Sequence, residues 1–118
     1  MSELTILHNP RCSTSRAALE AAEASPFALT VRNYVKVPLT EEEWLDVIAK
    51  LDAHPTDLVR RDANFNRSTL SDDDVRTAQQ VAKVLAAHPE MAQRPVLIRG
   101  DRAIIGRPKA AVAPFLAG

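Results

Sequence analysis

The first third of the chain alternates between short apolar segments and an Ala-rich stretch. Residues 4–8 and 27–35 are rich in apolar and β-branched side chains, which predicts two strands. The first strand should end at residues 9–11, because Pro10 has no N–H to donate to a neighbouring strand. The Ala-rich stretch predicts a helix from near Cys12 to about Ala24. This part of the chain is therefore expected to form a β-α-β unit.

The middle of the chain carries helical patterns only. Thr40 and Glu43 have the spacing of a capping box. The apolar stripe of the helix behind them is Trp44, Val47, Ile48 and Leu51. Residues 55–61 predict a short helix with Pro55 in its first turn. The three acids of residues 71–74 favour a helix N-terminus, which predicts a longer helix from there to about residue 88.

The last third predicts a hairpin followed by a helix. Residues 95–99 and 102–105 are apolar segments on either side of Gly100-Asp101, with glycine first, as a type II′ turn requires. A short helix should follow residues 106–108, and Pro114 is expected to bend or end it. The order β-α-β, helices, β-β-α predicts an α/β, thioredoxin-like fold with a mixed four-stranded sheet. Residues 1–118 would form a single domain, with an all-helical insertion at roughly residues 40–92.

Composition narrows the possible functions. The chain has 118 residues, with 15 basic and 15 acidic side chains, so its net charge is zero. That balance does not favour nucleic acid or a membrane surface as a partner. No apolar run is long enough to span a membrane, and no signal peptide is recognisable. A single cysteine excludes an internal disulfide and an all-cysteine metal site, so we expect no bound metal and a cytoplasmic location.

Cys12 is the candidate nucleophile, because it lies where the first strand passes into the first helix. Free N–H groups at a helix N-terminus stabilise a thiolate and lower its pKa. Arg11 and Arg16 add positive charge on both sides. The competing interpretation is a buried structural cysteine, which is the common fate of a lone Cys, but the polar neighbours of Cys12 argue against it.

Two neighbours of Cys12 could tune its thiol. An imidazolium at His8 would lower the pKa of Cys12 further if it lay close to the sulfur, but the residues alone favour a strand-end histidine without a role. Ser15, one helical turn after Cys12, could donate a hydrogen bond to the thiolate or serve only as a helix cap.

Three arginines stand out as candidates for binding an oxyanion, since a guanidinium matches two oxygens at once. Arg60 lies in a short apolar turn, Arg94 precedes Pro95, and Arg107 follows Gly106. In a thioredoxin-like fold the loop before the third strand faces the cysteine, and its proline is normally cis. Arg94 and Pro95 are therefore expected beside Cys12.

Three separated blocks, residues 8–16, 94–96 and 105–108, resemble the glutaredoxin/glutathione-dependent arsenate reductase family (ArsC-like), and the resemblance covers essentially the whole chain. It implies that Cys12 attacks arsenate, that His8 and Ser15 tune the thiol, and that Arg60, Arg94 and Arg107 hold the oxyanion. The match is poorest after Arg60, where the adjacent Arg61 could take the third arginine's place.

Reduction of arsenate to arsenite needs two electrons, and this chain has no second cysteine. The second thiol must come from outside, most simply from glutathione as co-substrate, with glutaredoxin completing the reaction. No bound cofactor is implied, and a monomer is expected.

Two alternatives stay open: a glutathione-dependent thiol-disulfide reductase that does not act on arsenate, and a regulator of the Spx type that binds RNA polymerase. Ser15 removes the Cys-x-x-Cys switch typical of such regulators. The arsenate reductases that resemble low-molecular-weight phosphatases are excluded, because they need Cys-x5-Arg and further cysteines, and position 18 is Ala18.

Overall fold

A four-stranded mixed sheet forms the centre of the structure, a computed structural model that describes residues 3–107 and 109–117. Its strands are β1 (Glu3–His8), β2 (Ala28–Asn33), β3 (Val96–Arg99) and β4 (Arg102–Ile105), in the order β2-β1-β3-β4. β1 pairs in parallel with β2 and antiparallel with β3, and β3 pairs antiparallel with β4. The predicted mixed sheet is confirmed.

Helices cover both faces of this sheet. The α-helices are α1 (Ser13–Glu23), α2 (Glu41–Lys50), α3 (Ala63–Arg67), α4 (Ala78–Ala87) and α5 (Val112–Ala117). Single 3-10 turns occur at Pro55–Leu58, Asp72–Asp74, Pro89–Met91 and Lys109–Ala111. The elements between β2 and β3 are helices and turns, so the chain leaves the sheet after β2 and returns to it at β3.

Two apolar cores result from the alternation of side chains along the strands. Leu4 and Ile6 of β1 point to one face, where they pack with residues of α1 and α5 such as Ala18 and Phe115. Leu7 points to the other face and packs in a larger core with α2 and α4. Members of that larger core that are almost completely buried include Tyr34, Trp44, Leu58, Val81 and Leu85.

The start of α4 differs from the prediction. The three acids of residues 71–74 form only a separate 3-10 turn, and α4 begins after Thr77. Thr77 and Gln80 form a capping box, and the Gln80 side chain also accepts from the backbone N–H of Arg76. Asp74 also accepts from the Ser71 N–H at 2.8 Å, but the helical backbone breaks at Val75, and the Thr77–Gln80 box begins α4 as a new helix.

Two further helix predictions were wrong in detail. Residues 55–61 contain only the 3-10 turn at Pro55–Leu58, because Val59 adopts an extended conformation and forms a β-bridge with Ala92. Pro114 does not end α5, which continues to Ala117. Pro114 is the third residue of that helix, where the absent N–H has no helical partner to lose. Pro108, part of the third motif block, lies outside the described residues.

Two predictions about glycine and proline are confirmed. Gly100 has φ of +61° at the first central position of the β3–β4 turn, and it alone among the described residues has positive φ, as a type II′ turn requires. The Arg94–Pro95 peptide bond is cis. Pro95 is fully buried at the start of β3, on the strand next to β1.

Candidate active site

Cys12 is the N-cap residue of α1. Its backbone is extended, with φ −102° and ψ 122°, and its carbonyl accepts the first helical hydrogen bond from Arg16 N at 2.9 Å. The sequence produces this placement because Pro10 ends β1 and the Asn9 carbonyl accepts from Cys12 N at 3.1 Å. The first free N–H groups of α1 are therefore available to the sulfur, which belongs to a residue only 9% exposed.

The pKa of Cys12 falls from its ordinary value of 9.0 to about 7. Burial alone would raise the pKa, since it disfavours the charged thiolate. Hydrogen bonding from the Ser15 backbone N–H, from the Arg94 side chain and from the Thr14 backbone N–H outweighs burial, and the charge of Arg107 contributes further. Near neutral pH about half of the protein therefore carries the reactive thiolate.

Arg107 reaches the sulfur directly. Its Nη2 donates to Cys12 Sγ at 3.2 Å, and its Nε donates to the Arg94 carbonyl at 2.7 Å. Gly106 permits this approach, because a Cβ there would lie 2.7 Å from Pro95 Cγ. The Gly106 N–H also donates to the Pro95 carbonyl at 2.8 Å, which fixes the segment that carries Arg107.

Arg94 contacts Arg107 and also acts on the Cys12 sulfur. Its guanidinium favours the Cys12 thiolate, and its carbonyl holds Arg107. The Arg94 Nε is buried and has no hydrogen-bond partner among the described residues. Arg94 and Arg107 thus form a pair of cations at one thiolate, each with N–H groups suited to oxygen atoms of an anion.

His8 and Ser15 act on the thiol differently from the prediction. Ser15 Oγ lies 2.8 Å from His8 Nδ1 and accepts from Asn9 N at 3.0 Å, so the hydroxyl is engaged away from the sulfur. It is the Ser15 backbone N–H that favours the thiolate. Burial lowers the pKa of His8, which disfavours an imidazolium beside Cys12. His8 instead holds Ser15.

The two adjacent arginines have different surroundings. Arg61 donates to Val59 O at 2.7 Å, to Thr56 Oγ1 at 2.6 Å and to Asp72 Oδ1 at 3.0 Å, so its guanidinium links local backbone turns. Arg60 has one ion pair, with Asp62 at 3.4 Å. Arg60 makes no hydrogen bond to Cys12 within the described residues, so the structure brings two of the three predicted arginines to the sulfur and leaves Arg60 paired with Asp62.

Sequence reasoning did not single out Asn9 or Tyr34. Tyr34 directly follows β2, is 1% exposed, and lies beside the side chains of Asn9 and Arg94. Burial raises the pKa of Tyr34, so its phenol is neutral at ordinary pH. Its position at the end of a strand next to β1 would have indicated it, had the strand order been known in advance.

A cleft of about 950 Å³ opens beside Arg107. Its lining carries both charges: besides Arg107, it includes Asp52, Asp57, Arg61, Arg76 and Gln93. Across the part of the chain that the structure describes, no three His, Cys, Asp or Glu side chains come together as a metal site would need. None of the helices in residues 3–107 and 109–117 has the length and apolar character of a membrane span.

Comparison with known families identifies the relatives of this chain. The model of the ArsC family matches residues 7–115. The chain belongs to the ArsC family. Within that family it is 32% identical over 109 residues to an arsenate reductase of Neisseria meningitidis, covering 92% of this chain and 93% of that one. It is 28% identical over 116 residues to an arsenate reductase of Escherichia coli K12, covering 98% of this chain and 82% of the relative.

Solved structures show the same fold. An arsenate reductase from Vibrio cholerae superposes with a TM-score of 0.77 and 28% identity, and 98% of each chain is covered. A protein from Yersinia pestis superposes with a TM-score of 0.83 and 29% identity, covering 95% of this ArsC-family chain and 99% of the other. The thioredoxin-like architecture predicted from the order of elements is therefore confirmed.

Proposed function

We propose that this protein reduces arsenate to arsenite, with Cys12 as the nucleophile. One observation carries the proposal: the Arg107 guanidinium lies 3.2 Å from the Cys12 sulfur, with Arg94 as a second cation at the same thiol. A thiolate and a tetrahedral oxyanion repel each other, so their encounter requires cations placed at the sulfur. A neutral disulfide substrate has no such requirement. The names of the relatives from Neisseria meningitidis and Vibrio cholerae agree with this substrate.

In the first step the Cys12 thiolate attacks the arsenic atom. An S–As bond forms, an As–O bond breaks, and the oxygen leaves as water after protonation. Arsenic stays at the +5 state, because only one ligand has been exchanged for another. Arg94 and Arg107 would neutralise the charge that accumulates on the arsenate oxygens and would hold the adduct against Cys12.

The second and third steps supply the electrons. Glutathione adds to arsenic as a second sulfur ligand and displaces another water. A glutaredoxin thiolate then attacks the glutathione sulfur, and the electron pair of the S–As bond passes to arsenic, which is reduced to the +3 state. The two oxidised sulfurs form the disulfide between glutaredoxin and glutathione. Water then releases arsenite from Cys12 and regenerates the thiol.

The remaining site residues would have supporting roles. Arg60 would leave Asp62 and contribute a third cation once the anion is bound, and Pro95 would keep Arg94 directed at Cys12. His8 and Ser15 would maintain the geometry of the loop that precedes α1, since their hydrogen bonds fix Asn9. None of these roles needs a bound metal or organic cofactor.

The cleft beside Arg107 suits glutathione as co-substrate. Sites for small molecules range over roughly 300–1,000 Å³, and this cleft lies within that range. Glutathione carries carboxylates and an ammonium group, and the lining offers arginine and aspartate side chains for both. A lone catalytic thiol that depends on glutathione needs a reducing compartment, so we place the protein in the cytoplasm. Cys12, Arg94 and Arg107 all come from one chain, which supports a monomer as the working unit.

A coupled assay tests the proposal. With arsenate, glutathione, glutaredoxin, glutathione reductase and NADPH, we expect NADPH oxidation that depends on arsenate and disappears in Cys12→Ser. NADPH oxidation with a small disulfide but not with arsenate would favour the thiol-disulfide reductase instead. Absence of both activities in a folded protein would favour the regulatory alternative, for which binding to RNA polymerase is the next measurement.

A further inference from the structure

Two neighbouring polar groups at the site are buried without a partner. The Tyr34 hydroxyl and the Arg94 Nε are both inaccessible to solvent, and neither forms a hydrogen bond within the described residues. Buried polar groups are almost always paired, so each exception calls for an explanation. Because these two groups lie side by side at a reactive thiol, we look for a single explanation for both.

The sheet register explains why these groups meet. His8 of β1 pairs with Asn33 of β2, so Tyr34 emerges from β2 beside Asn9. Leu7 pairs with Val96 at the start of β3, which places Arg94 at the same edge of the sheet, on the other side of β1. Tyr34, 1% exposed, therefore lies close to the side chains of Asn9 and Arg94.

The two groups are chemically complementary. The Arg94 Nε–H can only donate a hydrogen bond, whereas a phenol oxygen can accept one and still donate its own proton. The phenol is neutral, because burial raises its pKa. A neutral acceptor orients a guanidinium without cancelling the positive charge that an anion needs. A carboxylate in the same place would cancel that charge.

We propose that Tyr34 is the positioning residue for Arg94: in the working site its hydroxyl accepts from the Arg94 Nε, which directs the two Nη groups toward the Cys12 sulfur and the bound anion. This inference rests on the proposed function for the identity of the anion, but its effect on the thiol is independent of arsenate. Tyr34 acts through Arg94 and does not itself touch the reacting atoms.

The test is Tyr34→Phe, which removes only the hydroxyl. The pH midpoint of Cys12 alkylation should rise by about half a pH unit, because a less well directed guanidinium stabilises the thiolate less. In the arsenate assay the KM should rise roughly three- to tenfold, because the lost hydrogen bond orients Arg94 but does not itself contact the anion, with a smaller change in kcat. In an Arg94→Ala background, Tyr34→Phe should change neither quantity further.

Trp44→Phe is the matched control. Trp44 is a fully buried aromatic of the same core, and its Nε1 likewise forms no hydrogen bond to any residue that the structure describes. It should leave the alkylation midpoint and KM unchanged. If Tyr34→Phe keeps the wild-type midpoint and KM and only alters thermal stability, the hydroxyl has no role in positioning Arg94 and the inference is overturned. If the wild type does not reduce arsenate, the proposed function fails and the alkylation midpoint alone decides the role of Tyr34.

Discussion

Arg107 and Cys12 are 95 positions apart in the chain, yet the Arg107 Nη2 lies 3.2 Å from the Cys12 sulfur. The contact joins the segment after β4 to the start of α1. It depends on β3, which lies between β1 and β4 in the sheet. The nucleophile and its nearest cation are therefore brought together by the fold as a whole rather than by a local motif.

The reactivity of Cys12 should follow the formation of its thiolate. Because the pKa of Cys12 is lowered to about 7, the rate of alkylation by iodoacetamide should rise through a midpoint near pH 7 and level off above about pH 8. The lowered pKa also means that Cys12 contributes to folding stability above its unfolded pKa of about 9 and loses that contribution as the pH falls through 7. A midpoint at or above the value of a free thiol, about 8.5, would contradict the geometry of the site.

Removal of either site arginine should impair catalysis. Arg107→Ala and Arg94→Ala should each cost roughly 2–4 kcal/mol of transition-state stabilisation, and both should raise the alkylation midpoint of Cys12. Arg107→Lys should retain only part of the transition-state stabilisation that Arg107→Ala loses, because an ammonium cannot donate to two oxygens at once as a guanidinium does. Arg102→Ala, which removes an arginine stacked 5.6 Å from the Phe115 ring on another part of the sheet, is the control. Equal effects of the Arg102 and Arg107 variants would refute a specific role.

Alanine variants of Gly106 and Gly100 can be compared as a matched pair, because Gly106 lies next to the site and Gly100 lies in the β3–β4 turn. In Gly106→Ala the new Cβ would meet Pro95 Cγ at 2.7 Å, so overpacking should lower the free energy of unfolding by about 1–3 kcal/mol. The displaced Arg107 should also let the pKa of Cys12 rise. Gly100→Ala meets no atom within 4 Å but requires φ of +61°, so it should cost roughly 1–2 kcal/mol through backbone strain alone. An unchanged alkylation midpoint in Gly106→Ala would separate Gly106 from the site.

Ser15→Ala distinguishes the hydroxyl of Ser15 from its backbone N–H. The variant leaves the Asn9 N–H and His8 Nδ1 without their partner, which should cost about 1–3 kcal/mol of folding stability. The pKa of Cys12 should change little, because the backbone N–H that stabilises the thiolate remains. A shift of the alkylation midpoint as large as that of Arg107→Ala would instead assign the hydroxyl to the sulfur.

Alanine variants of Arg60 and Arg61 should differ in their effects: one should raise the KM for arsenate and the other should lower folding stability. Arg61→Ala removes the links to Thr56, Val59 and Asp72 and should lower the free energy of unfolding by about 1 kcal/mol. Within the described part of the chain, Arg60→Ala loses the ion pair with Asp62, so the free energy of unfolding should change by less than about 0.5 kcal/mol while the KM for arsenate rises. A raised KM in Arg61→Ala with an unaffected Arg60→Ala would exchange the two assignments.

The sequence predicted the parts of the structure that depend on nearby residues. The capping box of Thr40 and Glu43 and the hairpin at Gly100 were predicted in the right places, because each depends on a few adjacent side chains. α3 was not predicted, since its five residues are too few to show a helical period, and Asp62 caps it alone. The acids of residues 71–74 do begin a helical turn, but the prediction could not show that this turn ends at Val75 and that α4 begins separately after Thr77.

The site was predictable in its residues but not in its hydrogen bonds. Cys12 could be placed at a helix N-terminus from Pro10 and the Ala-rich stretch alone. Whether the Ser15 hydroxyl faces the sulfur or His8 depends on rotamers that no sequence pattern reveals. The importance of Tyr34 follows only from the strand order, which places the end of β2 next to the Cys12 loop.

The hydrogen bond from Arg107 Nε to the Arg94 carbonyl fixes the Arg107 side chain to the backbone of the residue that supplies the second cation. The anchor of Arg107 is therefore a main-chain atom and does not involve the Arg94 guanidinium. Arg94→Ala leaves this carbonyl in place, but both guanidinium groups stabilise the same Cys12 thiolate and would contact the same anion. The energetic contributions of the two arginines are therefore coupled, and the sum of the two single losses will exceed the loss that follows when both are absent.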